Sequence, residues 1–518
     1  MKNGFVISIL VILKFSFSIS DANVLSFDKI RVTQESKEKK LHINGFEATT
    51  SYWRTQAQNK LKSQLKHKVN ENVAKNVIIF LGDGMSLSTV TAARIYFGQK
   101  QGLSGEESLL SFEKFPYIGL SKTYCYDKQT ADSACSATAY LTGVKANYAT
   151  IGVNPKVQLN DCESSRNKLN QLSSIMNWAQ NARKATGIVT NTRITHASPA
   201  GTYARTANRD WESDADMKAF PDARKCSDIA KQLIREEPGN LFNVIYGGGR
   251  KKILSEKIID EEGQRGQRID GLDLIDEWLT NKNSPKAYYI HNSEGMNQMN
   301  HSNVEHVLGL FESDHMKFHL DAGSDQPSLK EMTASAINVL KKHENGFVLF
   351  VEGGRIDHAH HQNFAKHALE ETVEFSEAIQ TGIEMTSEED TLIVVTSDHA
   401  HTMTMSGYSK RGQDILGLNS EISDVDNLPY MTLSYANGPS GVKKRYKIKK
   451  DEMKFNDYRY PSLVPLNSET HGGDDVPIYA RGPHSHLFTG VLEQNTIPHF
   501  IAYAACIGGG LTVCDTRL

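Results

Sequence analysis

Apolar runs closed by small or acidic residues recur along this chain. Asn76-Val-Ile-Ile-Phe-Leu-Gly-Asp-Gly84 is the first of them. Gly187-Ile-Val-Thr-Asn-Thr192, Val244-Ile-Tyr-Gly-Gly-Gly249, Phe347-Val-Leu-Phe-Val-Glu-Gly-Gly354 and Leu392-Ile-Val-Val-Thr396 follow. Each is short and unalternating, the pattern of a strand buried on both faces. Between them, Ser88 to Gln99, Ala131 to Thr142 and the stretch through residue 385 have helical character, and Ser133 falls in a first helical turn. The alternation predicts an α/β fold: a large, mostly parallel central sheet with helices on both faces. Residues 403–470 break the rhythm. They are polar, punctuated by Gly and Pro, and carry the basic run Lys443-Lys-Arg-Tyr-Lys-Ile-Lys-Lys450, which reads as the solvated face of an insertion. Small, apolar, strand-like segments resume over residues 471–505.

The ends add a compartment. Lys2, the apolar stretch Phe5 to Leu13 and the small residues from Ser18 to Ala22 read as a signal peptide over residues 1–22. Lys14 leaves that stretch too short to span a bilayer. No hydrophobic tail follows Cys514, so no GPI signal is expected, and the protein is expected to be exported and extracellular. Residues 23–50 are polar without a period; residues 51–72 are helical in composition and fit an arm lying on another surface or, equally well from pattern alone, a solvated helix.

Composition narrows the class only a little. With 39% hydrophobic and 23% charged residues and a formal net charge of −3, the chain gives no basis for a nucleic-acid partner. Six cysteines in an exported protein allow three disulfides. Cys506 with Cys514, Cys162 with Cys226 and Cys125 with Cys135 is one pairing; spacing leaves the connectivity open. The sequon Asn300-His-Ser302 predicts a surface loop.

The chemistry lies at the strand ends. Asp83, Glu352 and Asp398 each close an apolar run, where a lone carboxylate would be costly to bury. Gathered on one rim they would repel one another unless cations lay between them. In Asp357-His-Ala-His-His361, helical spacing puts Asp357 and His361 on one face, within reach of one metal ion. His399 beside Asp398, and His471 in Thr470-His-Gly-Gly, add imidazoles. Mixed Asp and His donors suit zinc; an oxygen set such as Asp83, Ser198 and Glu352 suits magnesium. Ser133 is the natural nucleophile, although a serine at a helix start more often caps it. No Gly-x-Ser-x-Gly elbow exists to supply a hydrolase triad. Arg209 has the forked geometry that fits a phosphate, although an arginine in such a setting is more often in a surface ion pair.

Six motifs in order resemble the metazoan alkaline phosphatase family: Phe80-Leu-Gly-Asp-Gly-Met85, Asp132-Ser-Ala134, His196-Ala-Ser-Pro199, Val351-Glu-Gly-Gly-Arg-Ile-Asp-His358, Ser397-Asp-His399 and Thr470-His-Gly-Gly473. The resemblance runs from about residue 51 to residue 506. It implies a phosphomonoesterase working at alkaline pH through a phosphoserine on Ser133, with Arg209 clamping the phosphate. It implies two zinc ions, one on Asp357, His361 and His471, the other on Asp398, His399 and Asp83. Magnesium would sit on Asp83, Ser198 and Glu352, with His196 and His358 around it and His401 near the first zinc. It further implies a homodimer, an arm at residues 23–55, a catalytic domain over 56–402 and 471–518, and a crown-like insertion at 403–470. The pairs Cys162–Cys226 and Cys506–Cys514 fit the family's two bridges, and Cys125–Cys135 would be a third of invertebrate type. Vertebrate relatives carry calcium, for which Phe311, Glu312 and Asp325 are the candidates here, although Gln326 stands where an aspartate is expected.

Other readings fare worse. A sulfatase needs a Cys/Ser-x-Pro-x-Arg motif, which Ser133-Ala-Cys-Ser-Ala137 lacks. A diesterase has no use for a clamp suited to a dianionic terminal phosphate. A non-catalytic binding module would not need every one of these residues intact.

Overall fold

A computed structural model describes residues 45–515 apart from 443 and 450. The expected signal peptide and most of the expected arm lie outside the described residues. Seventeen strands are formed among those described: β1 (Asn76–Gly82), β2 (Tyr117–Lys122), β3 (Ala185–Arg193), β4 (Val244–Gly248), β5 (Ala287–Ile290), β6 (His306–Leu310), β7 (Phe347–Gly353), β8 (Thr391–Thr396), β9 (Ala400–His401), β10 (Met403–Met405), β11 (Leu418–Ile422), β12 (Pro429–Met431), β13 (Leu433–Gly438), β14 (Ser462–Pro465), β15 (His471–Gly472), β16 (Val476–Arg481) and β17 (Gly490–Glu493). Ten of them make one sheet in the order β17-β2-β16-β8-β1-β7-β3-β4-β6-β5. Only β16 runs against its neighbours, pairing antiparallel with β2 and β8; the other pairings are parallel.

The apolar runs sit where their composition requires. In β1, Ile78 and Phe80 face one core while Val77, Ile79 and Leu81 face another. Both faces are covered, which is why these strands read as continuous rather than alternating. The register pairs Leu81 with Glu352 of β7 and with Thr396 of β8. The carboxyl ends of three adjacent central strands therefore open onto one rim, where open α/β sheets gather their chemistry.

Eight helices matter below: α1 (Thr50–Leu65), α2 (Leu87–Lys100), α3 (Ser133–Thr142), α4 (Ala197–Ala200), α5 (Leu329–Leu340), α6 (Arg355–His361), α7 (Ala365–Met385) and α8 (Ile497–Ala505). The predicted helix through 385 is two, α6 and α7, separated where Asn363 adopts φ +57°. The strand-like reading of 471–505 fails at its end. Ile497, Ile501, Ala504 and Ala505 are buried at helical spacing, and α8 forms there. α1 stops at Leu65, short of the predicted residue 72, and buries none of its residues.

Residues 403–470 form a three-stranded sheet, β10-β13-β14, and the hairpin β11-β12. Met403, Met431, Leu433, Tyr435 and Tyr460 join the core on one face of the main sheet. β9 and β15, which flank this segment, pair antiparallel with His401 opposite His471. Among the described residues, no helix is long and apolar enough to cross a membrane. Three disulfides link Cys125–Cys135, Cys162–Cys226 and Cys506–Cys514.

Candidate metal centre and nucleophile

Asp83 follows β1 and Asp398 follows β8, and both are fully buried. Gly84 between them adopts φ +68°, and a Cβ there would lie 2.6 Å from His401 Nε2. Its backbone N–H donates to Asp398 Oδ1 at 3.0 Å. Asp83 Oδ1 and Asp398 Oδ2 accept no hydrogen bond. His399 Nε2 lies 3.5 Å from the first and 3.1 Å from the second. The same nitrogen is 3.2 Å from Ser133 Oγ. One imidazole, two orphaned carboxylate oxygens and the serine hydroxyl therefore converge in a space that water does not reach.

A second group lies alongside. Asp357 and His361 are on α6, with His361 Nε2 3.3 Å from Asp357 Oδ2. His471 Nε2 lies 3.4 Å from Asp357 Oδ1 and 3.2 Å from His361 Nε2. Carbonyls fix both tautomers: His361 Nδ1 donates to Glu469 O at 2.5 Å and His471 Nδ1 to Ala131 O at 2.8 Å. Each Nε2 is thus left with a lone pair, and two lone pairs at that separation call for a cation between them.

The third group is Asp83, His196 and Glu352, whose ligand atoms lie within 4.8 Å of one another. Ser198 Oγ, on α4, reaches Asp83 Oδ2 only at 3.5 Å. His196, expected in an outer position, is as close to this group as its carboxylates. His358 stands behind it, its ring 5.2 Å from His196 and its Nδ1 held by Arg355 Nη1 at 2.9 Å. Thr190 and Thr192 of β3 donate to Glu352 Oε2 at 2.5 and 3.1 Å, while Oε1 has no partner.

The electrostatics agree with the geometry. Burial pushes Asp83 well up, and Asp398, Asp357 and Glu352 push it further. Burial raises Glu352 to about 7. His399 and His196 are driven down by burial, so both are neutral donors. Burial would raise Asp357 as well, but His361 and His401 hold it well below the carboxylate range. Asp83, Asp398 and Glu352, which disfavour one another's charge beside the neutral His399 and His196, are short of positive charge, which divalent cations would supply. The donor chemistry fits zinc for the first two groups; in the third, Asp83, Glu352 and Ser198 offer the oxygens a harder ion prefers, with His196 the one nitrogen beside them.

Ser133 opens α3, and Asp132 caps the helix by accepting from Ala134 N and Cys135 N. Asp132 Oδ2 also accepts from Arg209 Nη1 at 3.0 Å, and Arg209 Nη2 lies 3.2 Å from His196 Nε2. The guanidinium is thereby held against the residue that precedes the serine.

Two residues change standing. His401 is no bystander: its Nε2 is 2.6 Å from Asp357 Oδ1 and its Nδ1 2.5 Å from Glu469 Oε2. Glu469 went unseen in the sequence because it lies in the polar stretch Ser468-Glu-Thr470, with no apolar run to mark it. His360 turns away from these clustered donors and bonds Thr89 Oγ1 and the Tyr435 hydroxyl, tying α6 to α2 and to the insertion. The calcium candidates stand apart from this rim. Glu312 is raised by burial and then by nearby Glu262, and Lys317 Nζ already meets it at 3.3 Å. Phe311 packs on Tyr246. Neither Glu312 nor Asp325 belongs to a convergent set of ligand atoms among the described residues.

Comparison with known proteins gives a consistent picture. The family model described as alkaline phosphatase matches residues 74–507. The chain is 47% identical over 481 residues to the membrane-bound alkaline phosphatase of Bombyx mori, covering 90% of this chain and 87% of that one. It is 46% identical over 480 residues to the tissue-nonspecific isozyme of Homo sapiens, covering 90% and 91%. Among solved structures, the Thermus thermophilus alkaline phosphatase superposes with a TM-score of 0.62 at 21% identity, over 86% of this chain and 94% of that one. The enzyme of the Antarctic bacterium TAB5 gives 0.58 at 23% identity, over 84% and 99%.

Proposed function

The chain belongs to the alkaline phosphatase family, and from that premise we propose that it hydrolyses phosphate monoesters at alkaline pH through a phosphoserine on Ser133. The observation that carries this reading is the convergence of Asp83 Oδ1, Asp398 Oδ2 and His399 Nε2 beside the Ser133 hydroxyl. In this reading one zinc is held by Asp357, His361 and His471, a second by Asp83, Asp398 and His399, and magnesium by Asp83, Ser198 and Glu352. Such ions supply Lewis acidity and charge neutralisation at the serine and leaving-group oxygens.

The chain's own residues set up the rest. The Ser133 hydroxyl gives its proton to solvent and its oxygen attacks phosphorus, the bond to the alcohol oxygen breaks opposite it and that oxygen takes a proton from solvent, and water then attacks the phosphoserine, returning one proton to Ser133 Oγ as phosphate leaves. Arg209 forks two hydrogen bonds to non-bridging oxygens and is held for that task by Asp132 and His196. Asp132 keeps Ser133 at the positive end of the α3 dipole, which favours both its anion and the incoming phosphate. His361 and His471 keep their protons on Nδ1, bound to carbonyls, so both remain donors of lone pairs.

α1 supports a homodimer: Trp53 and Leu65 are 56% and 77% exposed on a helix that buries nothing in its own subunit. Three disulfides and the exposed sequon at Asn300 support export and glycosylation. The test is hydrolysis of an aryl phosphate. Activity is expected to vanish in EDTA and to return with zinc plus magnesium, and Ser133→Ala is expected to lose nearly all turnover while keeping its metal. Full turnover in Ser133→Ala would remove Ser133 from its role, and active enzyme without zinc would remove the metal assignment.

A further inference from the structure

The bridge Cys125–Cys135 closes a loop that carries three functions within a few residues. Cys125 follows β2, Cys135 lies in the first turn of α3, and both are 2% exposed. Inside the loop, the Ala131 carbonyl accepts the His471 Nδ1 proton at 2.8 Å. Asp132 holds Arg209 and, through Oδ1, the Ala149 N–H at 2.9 Å. Ser133 is the proposed nucleophile. Residues 126–129 are exposed, so no layer of protein presses the loop into place. Two other ties hold it: Tyr126 N donates to Ala146 O at 2.9 Å, and Tyr148 N donates to Asp127 Oδ1 at 2.8 Å.

We infer that Cys125 and Cys135 are positioning residues whose bridge fixes the serine, its phosphate clamp and the tautomer of His471 as one unit. The reasoning is geometric. His471 presents the correct nitrogen only while its other nitrogen has a carbonyl to bond, and that carbonyl sits two residues before the nucleophile. A loop free to lift by an ångström would loosen a ligand and misplace the serine together. Outer partners of metal-bound histidines act on both metal affinity and turnover in this way. The bridge therefore reaches the reaction from two sides: through Asp132 to the phosphate, and through Ala131 to the metal.

This inference rests on the reading of Ser133 and His471 above, and its test separates the two. Full-length Cys125→Ala/Cys135→Ala enzyme is loaded with zinc, and transfer of that zinc to a chromogenic chelator is timed alongside kcat and KM for an aryl phosphate. Zinc release is expected to be about tenfold faster and kcat to fall by about tenfold. Cys506→Ser/Cys514→Ser serves as the control for losing a bridge elsewhere and is expected to release zinc at the wild-type rate. A bridge that merely stabilised the fold would lower Tm and leave zinc release untouched, so wild-type release from the first double variant overturns the inference whatever its Tm. Should that variant not fold, the native zinc-loaded enzyme is treated with a thiol reductant and the opened bridges are mapped by alkylation: zinc release that quickens as Cys125 and Cys135 become alkylated supports the inference, and wild-type release with that pair alkylated overturns it. Full turnover in Ser133→Ala would sink the functional reading instead, while zinc release would still report the loop's hold on His471.

Discussion

Gly84→Ala is the sharpest probe of the rim. The backbone there has φ +68°, and the new Cβ would meet the His401 ring, 2.6 Å from Nε2. Carbon and nitrogen in contact sit about 3.5 Å apart, so the imidazole must retreat by about 1 Å. It has no slack for that, pinned between Asp357 at 2.6 Å and Glu469 at 2.5 Å. A misplacement of about 1 Å can cost on the order of 10²-fold in rate. The left-handed backbone adds roughly 1 kcal/mol of strain for any residue with a Cβ. Gly102→Ala is the matched control, since Gly102 has φ +79° and open space around its would-be Cβ. It should show the strain in its melting temperature and normal kinetics. Steady-state turnover of an aryl phosphate, with metal content measured on the same samples, decides the matter. If Gly84→Ala kept kcat within about threefold of wild type at full metal content, the claim that His401 is held to sub-ångström tolerance would be wrong.

Two further predictions follow from single residues. Glu469→Gln replaces a buried acceptor of the His401 Nδ1, Thr402 N and Thr402 Oγ1 groups with an amide that turns a donor toward one of them. Zinc affinity or turnover should fall about 10- to 100-fold in a chelator competition or a kinetic assay, and wild-type values for both would exclude Glu469 from the site. Lys282, whose ammonium donates to Asn240 O, is lowered to about 8 by burial. A folded pKa below the unfolded one means the charged amine opposes folding below pH 8, and the penalty fades as pH rises toward the unfolded value. Lys282→Met should therefore stabilise by roughly 1–2 kcal/mol at pH 7, after discounting for partial exposure, and by less at pH 10. Equal gains in Tm at both pH values would show that burial of the charge is not the cause.

The buried strands were legible because parallel strands covered on both faces leave unbroken runs such as Val77 to Leu81, and their acidic ends marked the rim. Asp357 and His361 were legible as a helical pair. What escaped shares a physical reason. β2 lies toward one edge of the sheet, where Ile118 is exposed, so its apolar pattern is diluted. α8 was mistaken for strand because short apolar runs do not declare their period. Glu469, Thr190 and Thr192 act through partners remote in sequence, and nothing beside them in the chain announces it. His360 and His401 show the converse. Two histidines from neighbouring clusters part company, His360 on Thr89 and Tyr435 and His401 on Asp357 and Glu469, because helix phase and strand register, rather than composition, decide which way each ring turns.

The short pairing of β9 with β15 has a consequence for how such a chain can vary. His401 and His471 face each other across it, one at the start of the 403–470 excursion and the other at its end. A segment whose two ends are paired beside the clustered histidines behaves as a closed loop, and lengthening the flexible part of a closed loop costs little, about 0.6 kcal/mol for each doubling. The exposed turns and strand faces between residues 403 and 470 can therefore be lengthened or recharged at little cost, provided the buried contacts of Met403, Met431, Leu433, Tyr435, Tyr460 and Glu469 are kept. The rim is packed tightly around His401, yet it carries on its border a segment whose exposed turns have room to change.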